Sequence, residues 1–385
     1  MTRTLKKIFA VTLFIFTAGI ENAFSSRTLF NGLSSYISLD MPEGFKVVES
    51  GDNGKYYMLE STVAPVKAIE RIYAPDRFTS TQEALATVME SFSLNYEKDN
   101  FTWRTREASV STFDGIMLGE NSFGYALALK LEEGNILVSI CWTDEKNSGN
   151  CNSFIVSFLD SVFVDSESYF ESGPFTQYVF PEGEKDELTL NIQDKQISTL
   201  LGKNDVEAAE YLIQRENEVL SYYRNSHLWQ LAWIRYYRMI FRDSCKRLQN
   251  VSFDVYNAFA PECSDETDYA TRLLNWTQTF SYERETTSAD FTSLPGILKG
   301  KGSDCDSRAM LLAVMLQSMN IDSIIFVSAV HSHGIAGLAS THPGYAFTVG
   351  EKDYLVGETT IPGLTWGIMD ASQSDPSTWI PVTLP

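Results

Sequence analysis

Histidine is scarce in this sequence: its 385 residues include only His227, His331, His333 and His342. Imidazole chemistry is thereby confined to one short region near the C-terminal end, with His227 reading as an ordinary surface residue. Cysteine is also sparse, five in all, and the spacings match no zinc-ligand set. P-loop, dinucleotide-binding and HExxH signatures are missing as well, so no cofactor and no metal are expected. Lys and Arg number 30 against 50 Asp and Glu, a net charge of −20. Such a chain repels polyanions, which disfavours nucleic acid or an anionic membrane as a partner and favours solubility or a peptide or protein substrate of basic character. Long apolar runs are missing too. The run Ile8 to Ile20 falls short of the roughly 20 residues that span a bilayer, so no transmembrane anchor is expected. Behind Arg3, Lys6 and Lys7, and ahead of the small residues Ala23 and Ser25, it reads as a signal peptide over residues 1–25. The protein is therefore expected to be exported, periplasmic or secreted.

Export implies an oxidising compartment, where cysteines tend to pair. Cys141 and Cys151 bracket a short polar loop, and Cys245 and Cys263 bracket the segment 246–262. Each is expected to bridge to its neighbour, which leaves Cys305 alone. That residue lies in Gly302-Ser303-Asp304-Cys305-Asp306-Ser307-Arg308-Ala309, at the start of a helix apolar nearly all round: Ala309, Leu312, Ala313 and Leu316 on one face, Met310, Leu311, Val314 and Met315 on the others. Unpaired N–H groups at a helix start favour a thiolate. Asp304 and Asp306 oppose it, so a cationic partner is required, and histidine is the candidate. A buried strand, Ile321 to Ala329, follows; then His333-Gly334-Ile335-Ala336-Gly337-Leu338-Ala339; then Asp353 to Thr360, whose alternation puts Tyr354, Val356 and Glu358 on one face. Cysteine, histidine and carboxylate in this arrangement can serve as nucleophile, base and orienting acid. A metal site built from the three clustered histidines with Glu351 or Asp353 is the competing reading, but it leaves the cysteine without a role.

The runs GSDCDSRAMLLAVML, HGIAGLA and YLVGETT resemble the core of the transglutaminase-like cysteine peptidase superfamily, related in its catalytic arrangement to papain. The resemblance implies Cys305 as nucleophile, His333 as base and Glu358 as acid. His331, two residues earlier and on the same strand face, stays open as the alternative base. It also implies that a glutamine or tryptophan from the preceding segment donates to the oxyanion, which makes Gln278, Trp276 and the Cys305 N–H the candidates; helix packing is the competing role for Trp276.

Residues 27–165 read as a separate α+β sandwich: strands at Tyr56–Glu60 and Ala68–Tyr73, a capping box Ser80-Thr81-Gln82-Glu83 opening a helix, a hairpin through Glu132-Glu133-Gly134-Asn135, and a closing helix around Phe154 to Val162. This part resembles the small domain of PsbP-like proteins and carries no evident chemistry. Residues 166–187, rich in Glu, Ser, Gly and Pro, read as a linker to a second domain over 188–385, in which a central helix packs on an antiparallel sheet. The expectation is an exported cysteine hydrolase that cleaves, or transfers, amide bonds through a thioester on Cys305. The alternative is a binding or envelope protein with a vestigial site.

Overall fold

The computed structural model describes residues 28–29, 37–284 and 289–384; the expected signal peptide lies outside them. The architecture is mixed α+β with antiparallel sheets. Among the described residues no helix is long and apolar enough to cross a membrane.

The first half begins with β1 (Thr28–Leu29) and β2 (Ser38–Leu39). Five further strands and a helix follow: β3 (Phe45–Gly51), β4 (Tyr56–Ser61), β5 (Val66–Tyr73), α1 (Thr81–Ser91), β6 (Asn95–Trp103) and β7 (Arg106–Met117). The meander closes with β8 (Glu120–Lys130), β9 (Ile136–Asp144), α2 (Ser148–Leu159) and β10 (Val162–Phe163). Strands β3 to β9 form one sheet of order β3-β4-β5-β9-β8-β7-β6. Each side chain of a strand faces opposite its neighbours, so the two faces bury different sets. Ile69, Val138 and Ile140 pack with Leu85, Val88 and Met89 of α1. Ala68, Leu127, Leu137 and Cys141 pack with Phe154 and Phe158 of α2. Ser80 caps α1 by accepting from the Glu83 N–H at 3.1 Å, while the Glu83 carboxylate reaches back to the Thr79 N–H at 2.7 Å. The capping box is thus reciprocal but offset by one residue. Strands β6 and β7 carry no clear apolar alternation in β6, whose polar side chains mark a sheet edge.

Glu70 lies within the α2-side core with no exposure, its Oε1 receiving the Ser139 hydroxyl and its Oε2 without a partner. Burial pushes its carboxyl up to about 8. A carboxyl raised on folding keeps its proton where the unfolded chain has lost it, so its contribution to stability is greatest below the unfolded pKa and falls as the pH climbs toward 8. Glu70→Gln is therefore expected to gain stability relative to wild type between about pH 5 and about pH 8. Urea melts at both pH values check it, and an unchanged difference would refute it.

Part of the segment expected as a linker is packed: residues 173–176 are buried, while 181–187 are exposed. Helix α3 (Pro174–Val179) is tied to the end of α2 because the Phe175 and Thr176 N–H groups donate to Asp160 Oδ1 at 2.6 and 3.1 Å. Polar composition misled the reading, since here the polar groups are satisfied by a buried carboxylate. The second half then opens with the hairpin β11 (Lys185–Ile192) and β12 (Lys195–Gly202), followed by α4 (Asp205–Ser221) and α5 (Trp229–Arg247). Next come α6 (Gln249–Phe259), α7 (Glu266–Thr277), α8 (Leu294–Leu298) and α9 (Cys305–Gln317). The chain ends in β13 (Ser323–Ser328), β14 (His333–Ala339), β15 (Ala346–Val349), β16 (Lys352–Gly357) and β17 (Ile380–Val382). These five strands form an antiparallel sheet, β15-β16-β14-β13-β17. Helix α9 is buried between the sheet and the surrounding helices, with every residue from Ala309 to Leu316 at 0 % exposure.

The two halves share a polar core. Helix α5 reads as an aromatic stripe, yet its buried Arg235, Arg238 and Arg242 point into the first half. Arg235 donates to Asp40 O at 2.6 Å, Arg238 to the Asp40 carboxylate at 2.8 Å, and Arg242 to Asp160 O and Val162 O at 2.5 and 2.8 Å. On α4, Arg215 pairs with Asp160 at 2.6 Å and with Glu216 at 2.8 Å. Apolar contact continues the join, since Val219, Tyr223 and Ala232 belong to the same core cluster as α2.

All five cysteines are free thiols, so the two expected bridges are not formed. A disulfide needs Cβ atoms within about 4.5 Å and converging, and sequence proximity does not supply that. The Cys263 thiol instead donates to Phe259 O at 3.3 Å, and the Cys151 thiol lies 3.6 Å from the Tyr222 hydroxyl. Cys141 and Cys151 are buried in one core and Cys245 in the other.

Candidate active site

Asp304 caps α9: its Oδ1 accepts from the Ser307 N–H at 2.9 Å. That cap fixes Cys305 as the first helical residue, 5 % exposed. The turn before it is pinned to the chain after α7, because the Ser303 N–H donates to Ser281 O at 3.0 Å and the Glu283 N–H to Ser303 O at 3.2 Å. His333 opens β14, and Glu358 directly follows β16. Neighbouring strands thus bring base and acid together: His333 Nε2 and Glu358 Oε2 are 2.7 Å apart. Burial pushes the Glu358 carboxyl upward, but hydrogen bonds from His333 and from Thr360 outweigh it and hold the group below its ordinary value. An ionised carboxylate only accepts, so Nε2 carries the proton and Nδ1 is left as the basic nitrogen. Trp379 covers this pair, its ring 6.2 Å from that of His333.

His331 is not part of the pair. Its Nε2 meets Thr378 Oγ1 at 3.0 Å and its ring lies 5.4 Å from Trp379. His342 pairs with Asp265 at 3.2 Å. The three clustered histidines therefore have three different partners, and among the described residues no group of three or more metal-ligating side chains stands together.

The thiol itself is differently engaged from the expectation. Cys305 Sγ donates to Asp306 Oδ1 at 3.2 Å, and the Gly334 N–H, next in chain to His333, points at the sulfur. Burial first, then Asp306 and Asp304, push the thiol well above its ordinary range, and only the Gly334 N–H is a notable opposing influence. Asp304 is pushed up to about 7 by burial and by Asp306. Asp306 is raised by burial against hydrogen bonds from Tyr237 and Cys305. Tyr237, assigned by its spacing to an aromatic core stripe, is thus also the clamp on Asp306. No signal in the sequence distinguishes a core tyrosine from one whose hydroxyl reaches another helix. Gly334 is required where it is, since a Cβ would collide with Asp306.

Neither side-chain oxyanion candidate is free to act. Gln278 spends both N–H groups on Glu358 O and Leu364 O, at 2.8 and 2.9 Å, while its Oε1 accepts from the Gly363 N–H at 2.9 Å. Trp276 is buried in the helical core, edge-on to Phe280 at 5.1 Å. The Cys305 N–H, at the head of α9, is the remaining candidate. Gln278 instead positions the acid, holding the loop that follows Glu358. Gln278→Ala leaves two buried carbonyls unpaired, and a stability loss of about 2 kcal/mol is expected. Thermal denaturation measures it; an unchanged midpoint would show that the loop is held by other means.

A cleft of about 560 Å³ runs beside the turn that leads into α9, bordered by Glu283, Arg284, Phe291, Lys301 and Gly302. Tyr282, next in chain to Glu283 of the cleft wall, is exposed.

No family model matches the chain, and no curated protein matches it. Among solved structures, it is distantly similar to the solution structure of cyanobacterial PsbP from Synechocystis. That similarity has 11 % identity and a TM-score of 0.27, over 33 % of this chain and 86 % of that one. A Bacteroides thetaiotaomicron crystal structure gives 9 % identity and a TM-score of 0.19, over 56 % of this chain and 75 % of that one.

Proposed function

We propose that the protein is an exported, transglutaminase-like cysteine hydrolase acting on amide bonds of a peptide or protein. The observation that carries this reading is the 2.7 Å His333–Glu358 pair beside a cysteine at a helix start. Glu358 fixes the imidazole with Nδ1 available. Because the resting thiol is held protonated, His333 would remove its proton as the sulfur attacks the carbonyl, with no standing ion pair. The C–S bond forms, charge gathers on the carbonyl oxygen facing the Cys305 N–H, and the imidazolium returns the proton to the leaving amine. Water then opens the thioester to a free acid; an amine in its place gives transfer. Either outcome uses the same residues and no cofactor.

A binding protein with an inert site is the second reading, favoured by the thiol's hydrogen bond to Asp306 rather than to His333. Incubation of the mature protein with a peptide library, with and without a primary amine, separates the readings by mass spectrometry. New carboxyl termini indicate hydrolysis and amine adducts indicate transfer. Intact peptides throughout, together with a Cys305 that resists alkylation, would overturn the enzyme reading.

A further inference from the structure

Behind the nucleophile lies a cation that has no acid of its own. Arg308, one helical turn after Cys305, is 1 % exposed. Its Nε donates to Ser303 Oγ at 2.9 Å, Nη2 to Phe280 O at 2.8 Å and to Ser303 O at 3.4 Å, and Nη1 to Thr359 O at 3.3 Å. The guanidinium also lies 5.5 Å from the Tyr282 ring centre. Among the described residues no carboxylate pairs with it. Arg242 is likewise held by carbonyl oxygens alone, far from the site, whereas Arg215, Arg235 and Arg238 each have a buried carboxylate partner. An arginine buried against neutral groups gives up its hydration with no carboxylate in return, whereas a methionine would fill the space without that cost. The fork reaches three separate segments: the turn leading into α9, the chain after α7, and the residue next to Glu358.

We propose that Arg308 is the positioning residue of this site: its guanidinium clamps the nucleophile's turn to the end of the acid's strand and holds an unpaired positive charge against Cys305. This rests on Cys305 being the reacting thiol, and it supplies what the surroundings otherwise lack. Asp306 and Asp304 on the same helix oppose a thiolate, and Asp290 on the preceding loop and Glu358 beyond β16 add negative charge around Asp304 and Arg308. Arg284 is already paired with Asp290 at 2.6 Å, and Tyr237 and Tyr282 are neutral. Arg308, held at the turn before Cys305, then adds a positive charge to the influence of the Gly334 N–H. Burial lowers the Arg308 pKa from its ordinary value, while Cys305, Asp304 and Glu358 act to keep it charged.

The test is the titration of Cys305, which needs no substrate. In Arg308→Gln, the Cys305 alkylation rate near neutral pH is expected to fall about tenfold as its pKa rises by about 1. Arg308→Lys, which keeps the charge, is expected to recover most of that rate. A folded Arg308→Gln with an unchanged pH profile, or a Lys variant as slow as the Gln variant, overturns the proposal. Should the Gln variant not fold, the wild-type protein decides: the Arg308 Nε–H resonance is expected to shift with the Cys305 midpoint and to lose that step in Cys305→Ser. A resonance that ignores the thiol overturns the proposal. If Arg308 governs the thiol but no peptide is cleaved, the hydrolase reading falls and the charge assignment stands.

Discussion

Cys305→Ala is expected to abolish amide turnover, by roughly 10⁴-fold or more, while leaving the folded protein intact, since loss of a nucleophile removes the covalent path outright. His333→Ala should cost nearly as much, because residues that act as one unit do not lose activity additively. The structure adds a condition that the motif does not carry: the resting thiol donates to Asp306 Oδ1 and is pushed above its ordinary range by burial and two aspartates. Removing Asp306 takes away one of the negative charges and the thiol's acceptor. Asp306→Asn should therefore lower the Cys305 pKa and speed its alkylation near neutral pH, the reverse of the Arg308→Gln outcome. Steady-state hydrolysis by the three variants, read beside alkylation rates, checks the whole set. Turnover that survives in Cys305→Ala would remove the thioester route altogether.

Arg215→Met should be the most damaging change outside the site. Arg215 and its partners Asp160 and Glu216 are each no more than 3 % exposed. Asp160 ends α2 in the first half while Arg215 sits on α4 in the second. Removing the guanidinium strands buried carboxylate charge, and about 3–5 kcal/mol of stability is expected to go with it. Asp160 also holds α3 through the Phe175 and Thr176 N–H groups, so the loss should reach both halves at once. Urea unfolding followed by tryptophan fluorescence should show one transition moved to lower denaturant. Two transitions, with only one displaced, would mean that the halves unfold independently and that the shared polar layer does not couple them.

The sequence by itself determined the local features. Helical periodicity marked α9, and its unbroken apolar surface marked it as buried; alternation marked the β8–β9 hairpin; Ser80 and Glu83 marked the start of α1. These depend on neighbours within a turn or a strand, where residue type and spacing are sufficient. His333 and Glu358 were named through the resemblance to the transglutaminase-like core, with His331 left open as the base; that the two side chains meet is seen only in the fold.

Tertiary structure decided everything that depends on what a polar group meets across the fold. It separated His333 from His331 by giving the latter Thr378 and Trp379. It turned Gln278 from a donor at the oxyanion into a brace for the Glu358 loop, and left Cys141, Cys151, Cys245 and Cys263 unbridged. It packed residues 173–176 of the polar segment on Asp160 while leaving 181–187 exposed, and found in α5 an arginine face beneath the aromatic one. Each buried polar group must find a partner, but the partner lies tens to hundreds of residues away: Arg238 meets Asp40, and Tyr237 meets Asp306. Spacing along a chain records which side chains share a face, and carries no record of which distant group will satisfy them.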